Sequence, residues 1–292
     1  MEKRLVIVDI SSFIFRAFYA IRPMNAPDGT PTNAINGVLS MLLKLIEKYE
    51  PSHLVLAQDS KEKTFRHDMY VEYKANRSEP PEDLIPQFEL AYQLCESLGI
   101  HCFRQGGVEA DDLMASLALL SWQQNHPVQM VTVDKDLNQM ICDEPVYIHR
   151  VNFFKKQVFT KKSVIDSMGV SPKSCVDFMA LVGDSVDNIP GVKGIGPKKA
   201  AALIQRFGSI ESIYENIEEL SVEKGWKNAT QKLIENKEKA FLSKKLVTLK
   251  KDIDLSRQVT DIQRDLLWVA GDSYPFLSKL GLERYHSDLQ PI

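Results

Sequence analysis

Short apolar runs that stop at an acidic residue set the rhythm of the first half of the chain. Leu5-Val6-Ile7-Val8 is followed by Asp9, Leu54-Val55-Leu56 is followed shortly by Asp59, and Val128 to Val133 is followed by Asp134 and Asp136. Short, mainly apolar runs that end in acid read as strands buried on both faces of a parallel sheet. Strands are expected near residues 4–9, 54–59, 100–104, 128–134 and 145–151. Helical periodicity places amphipathic helices at about 34–49, 83–98 and 110–122. Strand and helix in alternation give an α/β fold, a mostly parallel twisted sheet with helices on both faces. Ligands of such a sheet sit outside the carboxyl ends of its strands, where these acids fall.

Two stretches break the rhythm. Residues 60–82 mix Lys61, Lys63, Arg66, His67, Tyr70, Tyr73, Lys74 and Arg77 with acids and end at Pro80-Pro81. A charged insertion after a strand end reads as a lid over the crevice or as a solvated loop. Past Thr160 strand signals fade, and Ser171-Pro172 opens a helical region with a good N-cap and first-turn proline. Within it, Asn188-Ile-Pro-Gly-Val-Lys-Gly-Ile-Gly-Pro-Lys-Lys leads into a helix. Gly191, Gly194 and Gly196 let backbone amides approach a phosphate, and Lys193, Lys198 and Lys199 add charge at the helix start. A turn of this kind grips one DNA backbone without reading bases. The division expected is an α/β domain over 1–160, a helical domain over 161–255, and a tail over 256–292 that packs back on the first.

Acids are too numerous in the crevice to stand alone. Glu109, Asp111 and Asp112 form a knot, and Asp184 and Asp187 lie in Gly183-Asp-Ser-Val-Asp-Asn188. Like charges a few ångströms apart repel strongly in a low dielectric, and one or two divalent cations are the natural compensation. An all-oxygen set favours Mg²⁺ or Mn²⁺ over Zn²⁺. The net charge of −3 argues against nucleic acid only on average: residues 191–251 carry 13 Lys and Arg against 7 acids, a local balance of +6. A basic platform beside an acidic crevice suits a phosphodiester. The four cysteines have no CxxC spacing and read as reduced thiols. No signal peptide or membrane span is expected, which places the chain in the cytoplasm.

These motifs, in their order along the chain, resemble the 5′ nuclease family of 5′→3′ exonucleases and flap endonucleases. They are Val8-Asp9, Asp59 with Phe65-Arg66-His67 and Tyr73-Lys74, Val108-Glu-Ala-Asp-Asp112, Thr132-Val-Asp-Lys-Asp136, and Gly183 through Pro197. The likeness is greatest to the exonuclease domain of bacterial DNA polymerase I, down to Phe276-Leu-Ser-Lys-Leu-Gly-Leu282. It implies a stand-alone exonuclease or an excised domain. It implies a PIN-like, resolvase-like sheet domain joined to a helix-three-turn-helix domain. Two divalent ions would then be held by Asp9, Asp59, Glu109, Asp111 and Asp112 at the first site and by Asp134, Asp136, Asp184 and Asp187 at the second. Lys74 and Arg77 match arch cations that meet the scissile phosphate, and Arg66 steers the strand or anchors the arch base. Phe15, where relatives carry a stacking Tyr, is a base platform or a core residue, and Arg16 beside it joins the DNA-facing set. The carbonyls of Leu181, Val182, Pro190, Val192 and Ile195 match a K⁺ site that bridges to a DNA phosphate.

The implied activity is metal-dependent 5′→3′ cleavage of DNA 5′ ends, flaps and nicks by a monomer, in primer removal or repair, with RNA in RNA–DNA hybrids as a further substrate. Two other classes remain open at this stage: a non-catalytic DNA-junction binder and an RNA-directed nuclease on the same fold.

Overall fold

In the computed structural model, which describes residues 4–289, β1 (Leu5–Asp9) lies inside a six-stranded sheet and all five of its residues are buried. It runs straight into α1 (Ile10–Ala20), capped by Asp9, whose Oδ1 accepts from the Ser12 amide. There follow α2 (Asn33–Tyr49), β2 (His53–Ala57), α3 (Phe65–Met69), α4 (Ile85–Ser97), β3 (His101–Phe103), α5 (Ala110–Gln123), β4 (Val128–Val131), β5 (Ile148–Asn152) and β6 (Gln157–Phe159). The strand order is β3-β2-β1-β4-β5-β6, parallel except for β6, which pairs antiparallel with β5. The chain thus walks outward from β1 to β3 and then crosses back to lay β4 on the other side of β1. That reversal is a topological switch point, and the carboxyl ends of β1 and β4 flank it.

Both faces of the sheet are covered. Val6, Val8, Leu54, Leu56 and Val131 point into a core shared with α1, α2 and α4, while Leu5, Ile7, Val55, Val128 and Met130 pack against Leu113, Met114, Leu117 and Ala118 of α5. Each large aliphatic side chain taken out of water contributes about 1.5–3 kcal/mol, so two such layers fix the strand ends firmly.

The chain continues as α6 (Lys161–Met168), α7 (Cys175–Val182), α8 (Pro197–Phe207), α9 (Ile210–Glu215), α10 (Ile217–Val222), α11 (Lys227–Glu235) and α12 (Lys237–Val247) around a second core that includes Phe178, Leu181, Val192, Leu203 and Leu233. The segment after α12 returns to the sheet side: Leu249, Leu255 and Leu266 join the α5 layer, and Leu277, Leu280 and Leu282 join the α2–α4 layer. Trp268 donates its amide to the Ser52 carbonyl and its indole N–H to Leu98. No helix among the described residues is long and apolar enough to cross a membrane. Residues 1–3 and 290–292, at the outer ends of the expected first domain and tail, lie outside the described residues.

Three elements differ from the sequence reading. α1 follows β1 without a loop, because the acid that ends the strand also caps the helix. β6 escapes a periodicity search at three residues, and as an antiparallel edge strand it fits the mostly parallel sheet expected. The insertion after β2 contains α3 and a run of turns rather than an open loop.

Candidate active site

The switch point gathers the acids. Asp9 ends β1, and its Oδ2 accepts from Thr132 Oγ1 (3.1 Å), which in turn accepts the Asp134 amide (3.0 Å). Asp134 Oδ1 takes the Asp136 amide (2.8 Å), so the loop after β4 is wound around its own carboxylates. Asp59, just beyond β2, accepts from Ser11 Oγ of α1 (3.0 Å) and from the Ala110 amide at the start of α5 (2.9 Å). A carboxylate against a helix N-terminus is well placed for the dipole. Glu109, the N-cap residue of α5, accepts from Thr64 Oγ1 (3.0 Å), Tyr73 hydroxyl (3.1 Å) and Lys74 Nζ (3.0 Å). Asp184 and Asp187 arrive from the helical region in a tight loop closed by reciprocal amide–carbonyl bonds between Asp184 and Ile189.

Seven of these carboxylates feel one another. Burial, and then the charge of Asp59, push the Asp9 carboxyl up to about 7. Burial, followed by Asp134, Asp9 and Asp59, pushes Asp111 well above the carboxylate range. Burial and then Asp134, Asp184 and Asp187 do the same to Asp136, and Asp134 is raised by burial and by Asp187 and Asp184. Glu109 goes the other way, because Lys74 and Arg66 outweigh its burial. Among the described residues no three His, Cys, Asp or Glu side chains form a ready-made metal cage. The donor set nevertheless fits divalent ions: every group is an oxygen acid, the raised carboxyls mark negative charge short of compensation, and Asp136 Oδ1 is buried with no hydrogen-bond partner.

Cations of the insertion lie on the acids. Lys74 Nζ bridges Glu109 and Asp187 (3.0 and 3.7 Å), Arg77 pairs with Asp187, and from the β4 side Lys135 pairs with Asp184 (3.0 Å). The Tyr73 hydroxyl links Glu109 and Asp187, its pKa raised by burial and by those two acids. A cleft of about 460 Å³ is lined by Asp59, Glu109, Lys74, Arg77 and Phe15 together. Phe15 is 39% exposed and meets Phe88 edge-on, so it is half-presented to the cleft and not a core residue. Arg16 is exposed and lies over the Phe154 ring.

Three expected roles are corrected. Asp112 is fully buried, and both of its oxygens are taken: Oδ2 by Arg66 Nη1 (2.7 Å), Oδ1 by Arg66 Nη2 (2.9 Å) and the Lys250 amide (2.8 Å). Its carboxylate is thus held by Arg66 and the Lys250 amide, which gives it a structural role beside the acids. Arg66 is 2% exposed and is also bound to the carbonyls of Leu246 and Thr248, so it does not face DNA but ties α3, α5 and the end of α12 together. Gly191 does not offer its amide to a phosphate, since that amide donates to Ser243 Oγ (2.9 Å). Its φ of +58° and the 2.5 Å that would separate a Cβ from the Gly183 nitrogen explain the glycine instead. Thr64, Tyr73, Thr132 and Lys135 were not singled out as site residues. Tyr73, Thr132 and Lys135 carry a signal, standing inside the motifs Tyr73-Lys74 and Thr132-Val-Asp-Lys-Asp136, and Thr64 carries none.

The rest of the glycine-rich turn is open. Lys193, Gly194, Gly196, Lys198 and Lys199 are exposed, with Gly196 at the N-cap and Pro197 as the first residue of α8. The Gly183–Gly191 approach brings Leu181 and Val182 beside Pro190 and Val192, with the Val192 amide on the Leu181 carbonyl (2.8 Å) and the Ile195 amide on that of Val192.

Residues 4–169 match the 5′-3′ exonuclease, N-terminal resolvase-like domain, and residues 170–267 the 5′-3′ exonuclease, C-terminal SAM fold. A 5′-3′ exonuclease of Aquifex aeolicus is 39% identical over 89% of this chain and 86% of its own length. DNA polymerase I of Pseudomonas aeruginosa is 40% identical over 87% of this chain, which spans 28% of the polymerase. The structure of T5 5′-exonuclease with bound divalent metal ions (zinc) superposes with a TM-score of 0.70 at 25% identity, covering 85% of this chain and 90% of that one. The catalytic core of Rad2 in complex with DNA substrate shares the fold, with a TM-score of 0.66 at 20% identity over 99% and 92% of the two chains. Because the matched sequence runs through the acid-bearing sheet and on through the lysine-bearing turn, the chain belongs to the 5′-3′ exonuclease family of nucleases.

Proposed function

We propose that this nuclease hydrolyses phosphodiesters at the 5′ ends and flaps of DNA with divalent metal ions, Mg²⁺ or Mn²⁺. The observation that carries the proposal is the single cleft lined by the acids Asp59 and Glu109 and by the cations Lys74 and Arg77. Asp9, Asp59, Glu109 and Asp111 would hold one ion, and Asp134, Asp136, Asp184 and Asp187 a second, some through water. When bound, such a pair supplies activation of water and neutralisation of charge on the attacking and leaving oxygens. The chain's own groups do the rest. Lys74 and Arg77 exchange their carboxylate partners for the scissile phosphate and stabilise the charge that grows on it. Phe15 offers a π-face to the terminal base, which any base accepts. Arg16 extends that face toward the backbone.

Away from the cut, Lys193, Lys198 and Lys199 with the amides around Gly194 and Gly196 hold the duplex phosphates. The carbonyls of Leu181, Val182, Pro190, Val192 and Ile195 would carry a K⁺ there. The working division is a sheet domain over 1–160 with its arch at about 60–82, a helical DNA-binding domain over 161–255, and the tail. Primer removal or repair by a cytoplasmic monomer, with RNA–DNA hybrids among the substrates, follows from the same reading. Asp134→Ala and Asp184→Ala are expected to abolish cleavage of a 5′-flap duplex while binding, followed by fluorescence anisotropy, persists. Full activity in either variant removes the proposal, and running matched DNA, RNA and hybrid flaps alongside separates a DNA from an RNA nuclease.

A further inference from the structure

Residues 72–76 of the insertion and 185–188 of the acid-bearing loop lie side by side in opposite directions. The Asn188 side-chain amide donates to the Glu72 carbonyl (2.7 Å), the Lys74 backbone amide donates to the Asp187 carbonyl (3.0 Å), and the Asn76 side-chain amide donates to the Ser185 carbonyl (2.7 Å). The order 72, 74, 76 against 188, 187, 185 is that of a short antiparallel ladder in which side-chain amides supply the outer two rungs. Lys74 and Asn188 sit at φ +56° and +55°, a left-handed conformation that is unfavourable for non-glycine residues and persists only where neighbours hold it. What the ladder holds is the backbone that carries Lys74 and Arg77.

We infer that Asn76 and Asn188 are positioning residues: together they latch the arch to the 184–188 loop and so aim the Lys74 and Arg77 side chains at the reacting phosphate. The inference rests on the reading that those two cations meet that phosphate. A free lysine surrenders side-chain entropy when it is held in one place, so a fixed backbone on either side of it matters. A displacement near 1 Å can cost about 10²-fold in rate. Neither asparagine is a metal ligand in the account above, and neither lines the cleft with the acids.

The test uses Asn188→Gly, which tolerates the left-handed backbone while deleting the donor, with Asn76→Ala, their combination, and Lys74→Ala as reference. Turnover is measured on a 5′-flap duplex with Mg²⁺, and hydrogen–deuterium exchange is followed over residues 70–78. The double variant is expected to lose about tenfold or more in kcat with KM within roughly threefold, while exchange over 70–78 accelerates and the folded state persists. Three results overturn the latch: exchange that accelerates with kcat unchanged, exchange that does not change, or a loss that lies in KM alone. If Lys74→Ala loses kcat and the double variant does not, only the latch fails. If Lys74→Ala turns over at the wild-type rate, the parent reading of Lys74 fails first.

Discussion

The guanidinium of Arg66 meets both carboxylate oxygens of Asp112, at 2.7 and 2.9 Å, across 46 residues of sequence and with both side chains shut off from water. Burial alone would weaken the Arg66 charge, but the Asp112 hydrogen bonds and the charges of Glu109 and Asp112 more than offset it. The pair therefore works as a strut between α3, in the insertion after β2, and the helix that carries Glu109 and Asp111.

Deleting half of a buried pair strands the other charge, at a cost of about 3–5 kcal/mol. Asp112→Asn and Arg66→Met should each lower the melting temperature by roughly 5–15 °C. Thermal unfolding monitored by circular dichroism checks this. A variant that melts like the wild type but binds Mg²⁺ more weakly would return Asp112 to the metal site.

Little of this strut could be read in the sequence, and the reason is physical. The acids near strand ends are legible because strands buried on both faces are mostly apolar, so an acid soon after such a run lies near the strand's carboxyl end: Asp9 ends β1, Asp59 lies two residues past β2 and Asp134 three past β4. The glycine-rich turn was legible because lysines cluster with glycines that need unusual backbone angles, although Gly191 needs its angle for the approach to Gly183 and not for a phosphate. Asp112, one residue from Asp111, looks the same in sequence. It differs only because the first turn of α5 rotates it about 100° away from Asp111 and into the Arg66 side of the helix. The Asn76 and Asn188 rungs likewise join segments with no periodicity, so only the fold brings them together.

Phe15 supplies a prediction about substrate grip. Base–aromatic stacking is worth about 1–3 kcal/mol, so Phe15→Ala should raise KM for a 5′-flap substrate by roughly 5- to 150-fold. Phe15→Tyr should retain the wild-type value, because the π-face is unchanged. Steady-state kinetics on both variants decide the matter, and an alanine variant with wild-type KM shows that the ring stays with Phe88.

The raised carboxyls predict a pH dependence of metal binding. With the Asp9 carboxyl pushed up to about 7 from its ordinary range, the metal-free fold gains stability from this group at low pH and loses it as pH rises toward 7. An ion must displace that proton, so its affinity rises over the same interval. The increase in melting temperature on adding Mg²⁺ should therefore widen from pH 5 to pH 8, as measured by differential scanning calorimetry. A shift of constant size across that range contradicts the electrostatic account of the cluster.

The central claim is that the gathered acids do their chemistry only with divalent ions. It is tested most directly by incubating the protein with a 5′-flap DNA duplex in excess chelator and then titrating Mg²⁺ or Mn²⁺ back while product is counted. The account predicts no cleavage in chelator and full recovery on titration. Cleavage at an undiminished rate in the chelated sample would contradict it.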